Sequence, residues 1–232
     1  MNFEILAYED TPLGLLCLRR REILSQPGKF VTEVTLNHEF LMSSYLTASE
    51  KALSELGLER VQSAGTDGKL RVLVGGLGLG YTAASALDSV IVHQVEVVEF
   101  LPQVIDWLEG GLVPLAERLN ADERLGVTHG DIYERLSRPG VQEFDLIAID
   151  VDHSPEDVLG EQSQDFYSCE GLERAKSHLT QGGVLGVWSY DESSPLLANM
   201  QEVFETVTVE KITVMNDLIR EEQTDWLFFG VK

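Results

Sequence analysis

The sequence contains little cysteine, little positive charge and no long apolar run. Only two of its 232 residues are cysteine, Cys17 and Cys169, and they form neither a disulfide framework nor a metal or redox motif. No stretch approaches the roughly 18 apolar residues of a membrane helix. The first residues, Met1 to Glu4, lack the basic and apolar regions of a signal peptide. We therefore expect a cytoplasmic protein without a membrane segment.

Acidic residues greatly outnumber basic ones. The chain has 39 Asp and Glu residues against 17 Lys and Arg residues, which gives a formal charge of −22. Nucleic acids and anionic membrane surfaces both attract Lys and Arg, so we expect neither as a partner. A cationic or neutral small molecule is compatible with this charge, and so is a surface that serves only solubility. The 44% apolar content is ordinary for a globular chain of about one domain.

The N-terminal part of the chain differs in pattern from the rest. Short β-type runs at 3–8, 13–18 and 30–36 are separated by turn-forming residues. This pattern predicts a small β-hairpin region over residues 1–36. Apolar residues at helical spacing follow and predict a helix over residues 37–56.

The remaining chain, residues 37–232, is predicted to form an α/β domain. From Leu70 onward, short apolar runs alternate with helical stretches, which is typical of a parallel sheet covered on both faces. The last two runs, 207–214 and 226–231, have no long helix between them. They therefore predict an antiparallel pair at the C-terminal end.

A glycine-rich loop is the strongest local signal. The apolar run 72–74 leads directly into Gly75, Gly76, Gly78 and Gly80, and a helical stretch follows. Glycine is needed where the backbone takes a positive φ or touches a ligand. The N-terminus of the following helix offers free N–H groups. The loop predicts a nucleotide or nucleoside site, with a plain strand-to-helix turn as the alternative.

Two acidic residues that follow the next strands are candidates for the same site. Glu99 lies nineteen residues after Gly80, where a carboxylate commonly accepts the ribose hydroxyls. Gly130 and Asp131 follow the third strand of the domain. Asp131 either accepts a hydrogen bond from an adenine amino group or caps the next helix, and the sequence leaves both open. Residues 78–83 also match the G-x-G-x-x-A dinucleotide pattern, so an NAD(P)-dependent oxidoreductase is an alternative.

A second strong signal follows the apolar run 144–149. Asp150, Asp152 and His153 come directly after it. Clustered carboxylates attract cations and raise one another's pKa values, which suits an amine acceptor that must lose a proton before it attacks. A polar loop or a divalent-cation site is the alternative. Tyr190 follows the fifth strand and either walls the acceptor site or packs against its neighbours.

Together these residues resemble the spermidine synthase family and its uncharacterised bacterial relatives. Asn37-His38-Glu39 is similar to the Tyr-His-Glu motif that opens the helix before the core, residues 75–80 to the glycine loop, and residues 150–155 to the Asp-rich catalytic loop. The resemblance covers nearly the whole chain. It implies the class I S-adenosylmethionine-dependent methyltransferase fold, a Rossmann-like, mostly parallel seven-stranded sheet with an antiparallel C-terminal strand. It also implies that Glu99 binds ribose and Asp131 binds adenine.

Two positions depart from the family pattern. Gly78 stands where spermidine synthases have an Asp that helps hold the aminopropyl amine of decarboxylated S-adenosylmethionine. His153 stands where the catalytic loop has its second Asp. The resemblance therefore implies an S-adenosyl sulfonium donor, either S-adenosylmethionine or its decarboxylated form. It leaves methyl and aminopropyl transfer both open.

The expected activity is alkylation of a small acceptor that carries an amine. Asp150 is the first candidate for acceptor binding or proton removal, followed by Asp152, His153 and Tyr190. No resident metal is expected. A protein that binds an adenosyl ligand without catalysis is the non-enzymatic alternative, and the sequence leaves a homodimer open.

Overall fold

The fold is taken from a computed structural model, which describes residues 2–65, 68–140, 143–151, 153–157 and 165–232. The chain forms two β-sheets, a four-stranded one followed by a seven-stranded one.

The N-terminal sheet is antiparallel, with its strands in sequence order. Leu16, Leu18 and Val34 of its two central strands are fully buried against the main core. The small sheet is therefore packed onto the rest of the molecule. Its strands are β1 (Phe3–Thr11), β2 (Gly14–Glu22), β3 (Phe30–Leu36) and β4 (Glu39–Ser43).

The predicted helix over residues 37–56 is wrong at its start. Asn37 and His38 have positive φ angles of 52° and 72° and form a tight turn between β3 and β4. Such turns need a positive φ at both central residues, which Asn tolerates well. The Asn37 side chain fixes the turn, because it accepts from the Leu15 N–H at 2.9 Å and donates to the Leu13 carbonyl oxygen at 3.0 Å. The small sheet thus ends at Ser43, while the division into two domains stays a prediction.

The seven-stranded sheet has helices on both faces. Its elements are α1 (Ala48–Ser63), β5 (Leu70–Gly75), α2 (Tyr81–Asp88), β6 (Val92–Glu99), α3 (Pro102–Glu109), α4 (Ala116–Ala121), β7 (Leu125–His129), α5 (Ile132–Ser137), β8 (Phe144–Ile149), α6 (Cys169–Ser177), β9 (Leu179–Ser189), α7 (Ser194–Val203), β10 (Thr206–Asn216) and β11 (Glu221–Val231).

The order of these strands is β10-β11-β9-β8-β5-β6-β7, and β11 alone runs in the direction opposite to the other six. This confirms the predicted fold class. Strands β5 and β8 are apolar and buried almost throughout, as central parallel strands covered on both faces must be. No helix in the described ranges has both the length and the apolar character needed to cross a membrane.

The strand order reverses at β5. The chain adds β6 and β7 on one side of β5, and then β8 and β9 on the other. Ligands of open α/β sheets bind beyond the carboxyl ends of the strands at such a reversal. Strand β5 leads there into the glycine loop and β8 into Asp150, and the Asp150 N–H donates to the Gly75 carbonyl oxygen at 2.9 Å. The two strongest sequence signals therefore meet at one place.

Candidate functional site

The glycine loop connects β5 to α2 at this reversal. Gly76 has a φ of 89°, and a Cβ there would lie 2.3 Å from a backbone oxygen just beyond β8. Only glycine lets the loop pack so closely. Gly78 has a φ of 53°, and its added Cβ would lie 3.3 Å from the sulfur of Met42 in β4. Gly75 ends β5 and Gly80 directly precedes α2. The loop thus contacts both the end of β8 and the N-terminal sheet.

Glu99, at the end of β6, anchors the backbone of the glycine loop. Its carboxylate is buried and accepts hydrogen bonds from the Leu77 and Leu101 N–H groups, both at 2.8 Å. Burial raises the pKa of Glu99, and the backbone N–H groups oppose this rise. A direct contact with a ribose stays a prediction. The structure adds a second task, which is to fix the backbone of the loop.

Replacing Glu99 by Gln is expected to lower stability by roughly 1–3 kcal/mol, because the amide offers one acceptor oxygen where two backbone N–H groups need one each. Binding of the adenosyl ligand that the resemblance implies, measured with S-adenosylhomocysteine, should weaken in the same variant, since the loop loses one of its anchors. Thermal unfolding and calorimetric titration measure the two effects. Glu96→Gln on the same strand weakens a partly buried ion pair with Arg135 outside the glycine loop and should leave ligand binding unchanged.

Asp131 is a helix cap. Its Oδ1 accepts from the Tyr133 N–H at 2.8 Å and from the Glu134 N–H at 3.3 Å, at the start of α5. The capping alternative is therefore correct, while an adenine contact stays a prediction. Gly130 lies next to it and donates its N–H to the Glu99 carbonyl oxygen at 2.9 Å.

Three carboxylates from distant parts of the chain line one cavity of about 590 Å³. Asp150 follows β8, Glu50 lies in the first turn of α1, and Asp225 lies in β11. Thr82 Oγ1 donates to Asp150 Oδ2 at 2.6 Å, and Ser49 Oγ donates to Asp225 Oδ2 at 2.6 Å. We call Glu50, Asp150 and Asp225 the acidic cluster. The described residues contain no group of three or more His, Cys, Asp or Glu side chains placed to hold a metal ion.

The acidic cluster holds protons at unusually high pH. Burial raises the pKa of Asp150 to about 6 and that of Glu50 to about 8. The negative charges of Asp150 and Asp225 raise the pKa of Glu50 further, and burial also raises the pKa of Asp225. Like charges on partly buried carboxyl groups resist simultaneous ionisation, and a cation that enters removes that resistance. The cluster is therefore suited to bind an ammonium group and to exchange a proton near neutral pH.

Aromatic and imidazole groups form the rim of the cavity. Tyr190 is exposed, and its ring meets that of His153 edge-on with 6.3 Å between centroids. The Tyr190 N–H donates to the His153 carbonyl oxygen at 2.9 Å, and His153 Nδ1 lies 3.6 Å from a carboxylate oxygen of Asp157. The Trp188 indole N–H is buried beside Asp225 and opposes the rise in the pKa of that carboxyl, at a geometry too poor for a regular hydrogen bond.

The cavity brings together four residues that the sequence analysis predicted, and they are Gly78, Asp150, His153 and Tyr190. Six other predicted residues do not line it, namely Gly75, Gly76, Gly80, Glu99, Gly130 and Asp131. Asp152 lies outside the described residues.

The sequence analysis missed Glu50 and Asp225. Each is a single acid in an otherwise ordinary segment, and only tertiary packing brings them to Asp150. One signal was available for Glu50. The resemblance places a glutamate at the opening of the helix before the core, but Asn37-His38-Glu39 occupies a turn and the start of β4. The glutamate in the first turn of that helix is Glu50.

Comparison with known proteins gives a match in structure only. No protein-family model matches the sequence, and no curated protein matches it. A solved spermidine synthase in complex with the transition-state analogue AdoDATO superposes with a TM-score of 0.76 at 14% identity, over 98% of this chain and 73% of that one. The spermidine synthase from Thermotoga maritima gives a TM-score of 0.71 at 15% identity, over 98% and 72%.

A methyltransferase gives a weaker match. Human methyltransferase-like protein 13, solved in complex with SAH, superposes with a TM-score of 0.57 at 22% identity, over 80% of this chain and 82% of that one. The N-terminal sheet and the seven-stranded sheet both fall within the 98% coverage by the spermidine synthases. The chain therefore has the spermidine synthase-like form of the class I methyltransferase fold.

Proposed function

We propose that this protein transfers an alkyl group from an S-adenosyl sulfonium donor to an acceptor that carries an amine. The observation that carries the proposal is the acidic cluster, which shares one cavity with Gly78 of the glycine loop. The fold supports the donor class, because two structures that share it were solved with AdoDATO and with SAH. Net charge supports the acceptor class, since a chain of formal charge −22 attracts cations.

The proposed reaction requires that the donor and the acceptor are aligned and that the acceptor loses one proton. An amine arrives as an ammonium ion, which the acidic cluster attracts. One carboxylate takes a proton, and the freed nitrogen lone pair then attacks the carbon bound to the sulfonium sulfur. The C–N bond forms as the C–S bond breaks, and a neutral thioether leaves. Alignment of the two reactants provides most of the rate enhancement.

Asp150 is the group best placed to take the proton. Its raised pKa of about 6 keeps it ionised at neutral pH yet makes it a stronger base than an ordinary aspartate. Thr82 fixes one of its oxygens, and no hydrogen bond from the described residues reaches the other. Asp225 supplies negative charge beside it, and Glu50 can ionise when an ammonium group enters, which favours binding of the ammonium form before the transfer.

The test begins with calorimetric titration of S-adenosylmethionine and its decarboxylated form. A panel of amines is then incubated with the protein and each donor, and products are identified by mass spectrometry. Methyl transfer releases S-adenosylhomocysteine, whereas aminopropyl transfer releases 5′-methylthioadenosine, each in equal amount with an alkylated amine. Donor binding without product across the panel would favour the non-catalytic alternative. Failure of both donors to bind would overturn the proposal. Quenching of NADH fluorescence tests the oxidoreductase alternative, which rests on residues 78–83 alone.

A further inference from the structure

Two arginines line the cavity from the N-terminal sheet. Arg19 and Arg21 lie two residues apart on one face of β2, and both bind Glu33 in β3. Arg19 Nε lies 2.9 Å from Glu33 Oε2, and Arg21 Nε lies 2.8 Å from Glu33 Oε1. The Nη2 atoms contact the same two oxygens at 2.9 and 2.7 Å. Glu33 is only 4% exposed. Two guanidinium groups thus share one carboxylate, and the group has a net charge of +1.

This arrangement contains more donors than Glu33 can use. A guanidinium has five N–H donors, and these two engage Glu33 through Nε and Nη2. Neither Nη1 group has a partner among the described residues. The two arginine side chains are 32% and 24% exposed, so a ligand in the cavity can reach these donors. A second carboxylate would complete the group, since arginine binds carboxylates through two parallel hydrogen bonds.

The cavity is therefore positive at one wall and negative at another. Among the described residues that line it, Arg19 and Arg21 are the only Lys or Arg side chains. The acidic cluster comes from the seven-stranded sheet and from α1, whereas the arginines come from the small sheet. A diamine would place a second cation against the arginines, which like charges oppose. A ligand with an ammonium and a carboxylate satisfies both walls.

We propose that Arg19 and Arg21 form a carboxylate-binding subsite, and that the cavity takes an amino-acid group with its ammonium at the acidic cluster. This inference rests on the proposed function and names the class of ligand for the same cavity. The amino-acid group has two possible sources. It belongs either to the methionine end of S-adenosylmethionine or to an amino-acid acceptor. In both cases the cavity of this protein would prefer a ligand that carries a carboxylate as well as an amine, unlike an enzyme whose ligands in this cavity carry amines alone.

Two matched ligand pairs test the proposal by calorimetric titration at pH 7.5. S-adenosylmethionine and its decarboxylated form differ in one carboxylate. The second pair is 5-aminopentanoate and 1,5-diaminopentane, which share one amine end and differ at the other, where the first has a carboxylate and the second an amine. This pair is titrated with and without 5′-methylthioadenosine. We expect at least a tenfold preference for the carboxylate member of one pair, equivalent to about 1.4 kcal/mol. A preference in the first pair assigns the subsite to the donor, and a preference in the second assigns it to the acceptor.

Single variants connect the preference to the arginines. Arg19→Gln and Arg21→Gln each leave one guanidinium on Glu33, so the buried carboxylate keeps a partner. Each variant should lose most of the tenfold preference. Arg20→Gln is the matched control, because Arg20 lies between them on β2 but stacks on Phe30 at 4.8 Å and does not line the cavity. It should keep the wild-type preference.

Three outcomes separate the inference from the proposed function. No carboxylate preference in either pair overturns the inference, and so does a preference that survives both arginine variants. If no adenosyl compound binds, the proposed function fails instead. The aminopentanoate pair titrated alone then still decides whether the arginines select a carboxylate.

Discussion

Replacing Asp150 by Asn is expected to lower turnover by roughly 10²–10⁴-fold, the usual contribution of a general base. The amide cannot accept the acceptor's proton, yet it keeps the size of the carboxylate and an oxygen that can accept from Thr82. Donor affinity should therefore change little. Single-turnover rates with the acceptor identified in the panel, together with donor titration, measure the two effects separately.

Two further variants test the role of Asp150 as a base. Thr82→Val removes the hydrogen bond that lowers the pKa of Asp150, so the acidic limb of the pH–rate profile should move from near pH 6 to a higher pH. Asp88→Asn, an exposed change on the same helix, is the control and should leave rate and profile unchanged. A variant Asp150→Asn with wild-type turnover would show that another group takes the proton.

Replacing Glu50 by Gln is expected to stabilise the unliganded protein at pH 8 by roughly 2–4 kcal/mol, a rise in Tm of about 5–10 °C. Burial, followed by the charge of Asp150, raises the pKa of Glu50 from 4.5 to about 8. Between these two values the folded state holds a proton that the unfolded state has released, so this group's contribution to stability falls as pH rises through the window. Gln has no proton to release and escapes this loss.

The pH dependence distinguishes this cause from a general effect of the substitution. Unfolding of wild type and variant should differ little near pH 5 and increasingly toward pH 8. Glu59→Gln, an exposed change on the same helix, should not alter the curve. Two stability curves that run parallel from pH 5 to pH 8 would contradict the expectation. A cationic ligand should reduce the difference, because it stabilises the ionised form of Glu50 in the wild type.

The signals that were readable in the sequence are local ones. One buried strand runs into four glycines and another runs into Asp150. Each of these patterns is recognisable within about ten residues of chain. The helix prediction is wrong at Asn37 and His38 because Leu41, Tyr45 and Leu46 fall at helical spacing. The turn is fixed instead by contacts of Asn37 with the preceding hairpin, more than twenty residues away.

The acidic cluster needed tertiary information. Asp225 reaches the cavity because β11 inserts antiparallel beside β9, with Leu227 opposite Trp188 and Trp226 opposite Ser189. Glu50 reaches it because β4 extends the small sheet and delays the start of α1. Neither the pairing of β11 with β9 nor the position of α1 produces a recognisable pattern in the sequence. No pattern within either segment therefore predicts that the carboxylates of Glu50 and Asp225 meet.

The close approach of Met42 in β4 to Gly78 joins two parts of the protein that can change separately. The acidic cluster comes from α1, the end of β8 and β11, whereas Arg19, Arg21 and Glu33 lie on a sheet contributed by the first 43 residues. Substitutions in that short stretch can change which molecules the cavity accepts while they leave the acidic cluster in place. Exchange of this segment between related proteins should therefore transfer ligand preference as a unit, provided that Gly78 and the Met42 thioether facing it are kept together.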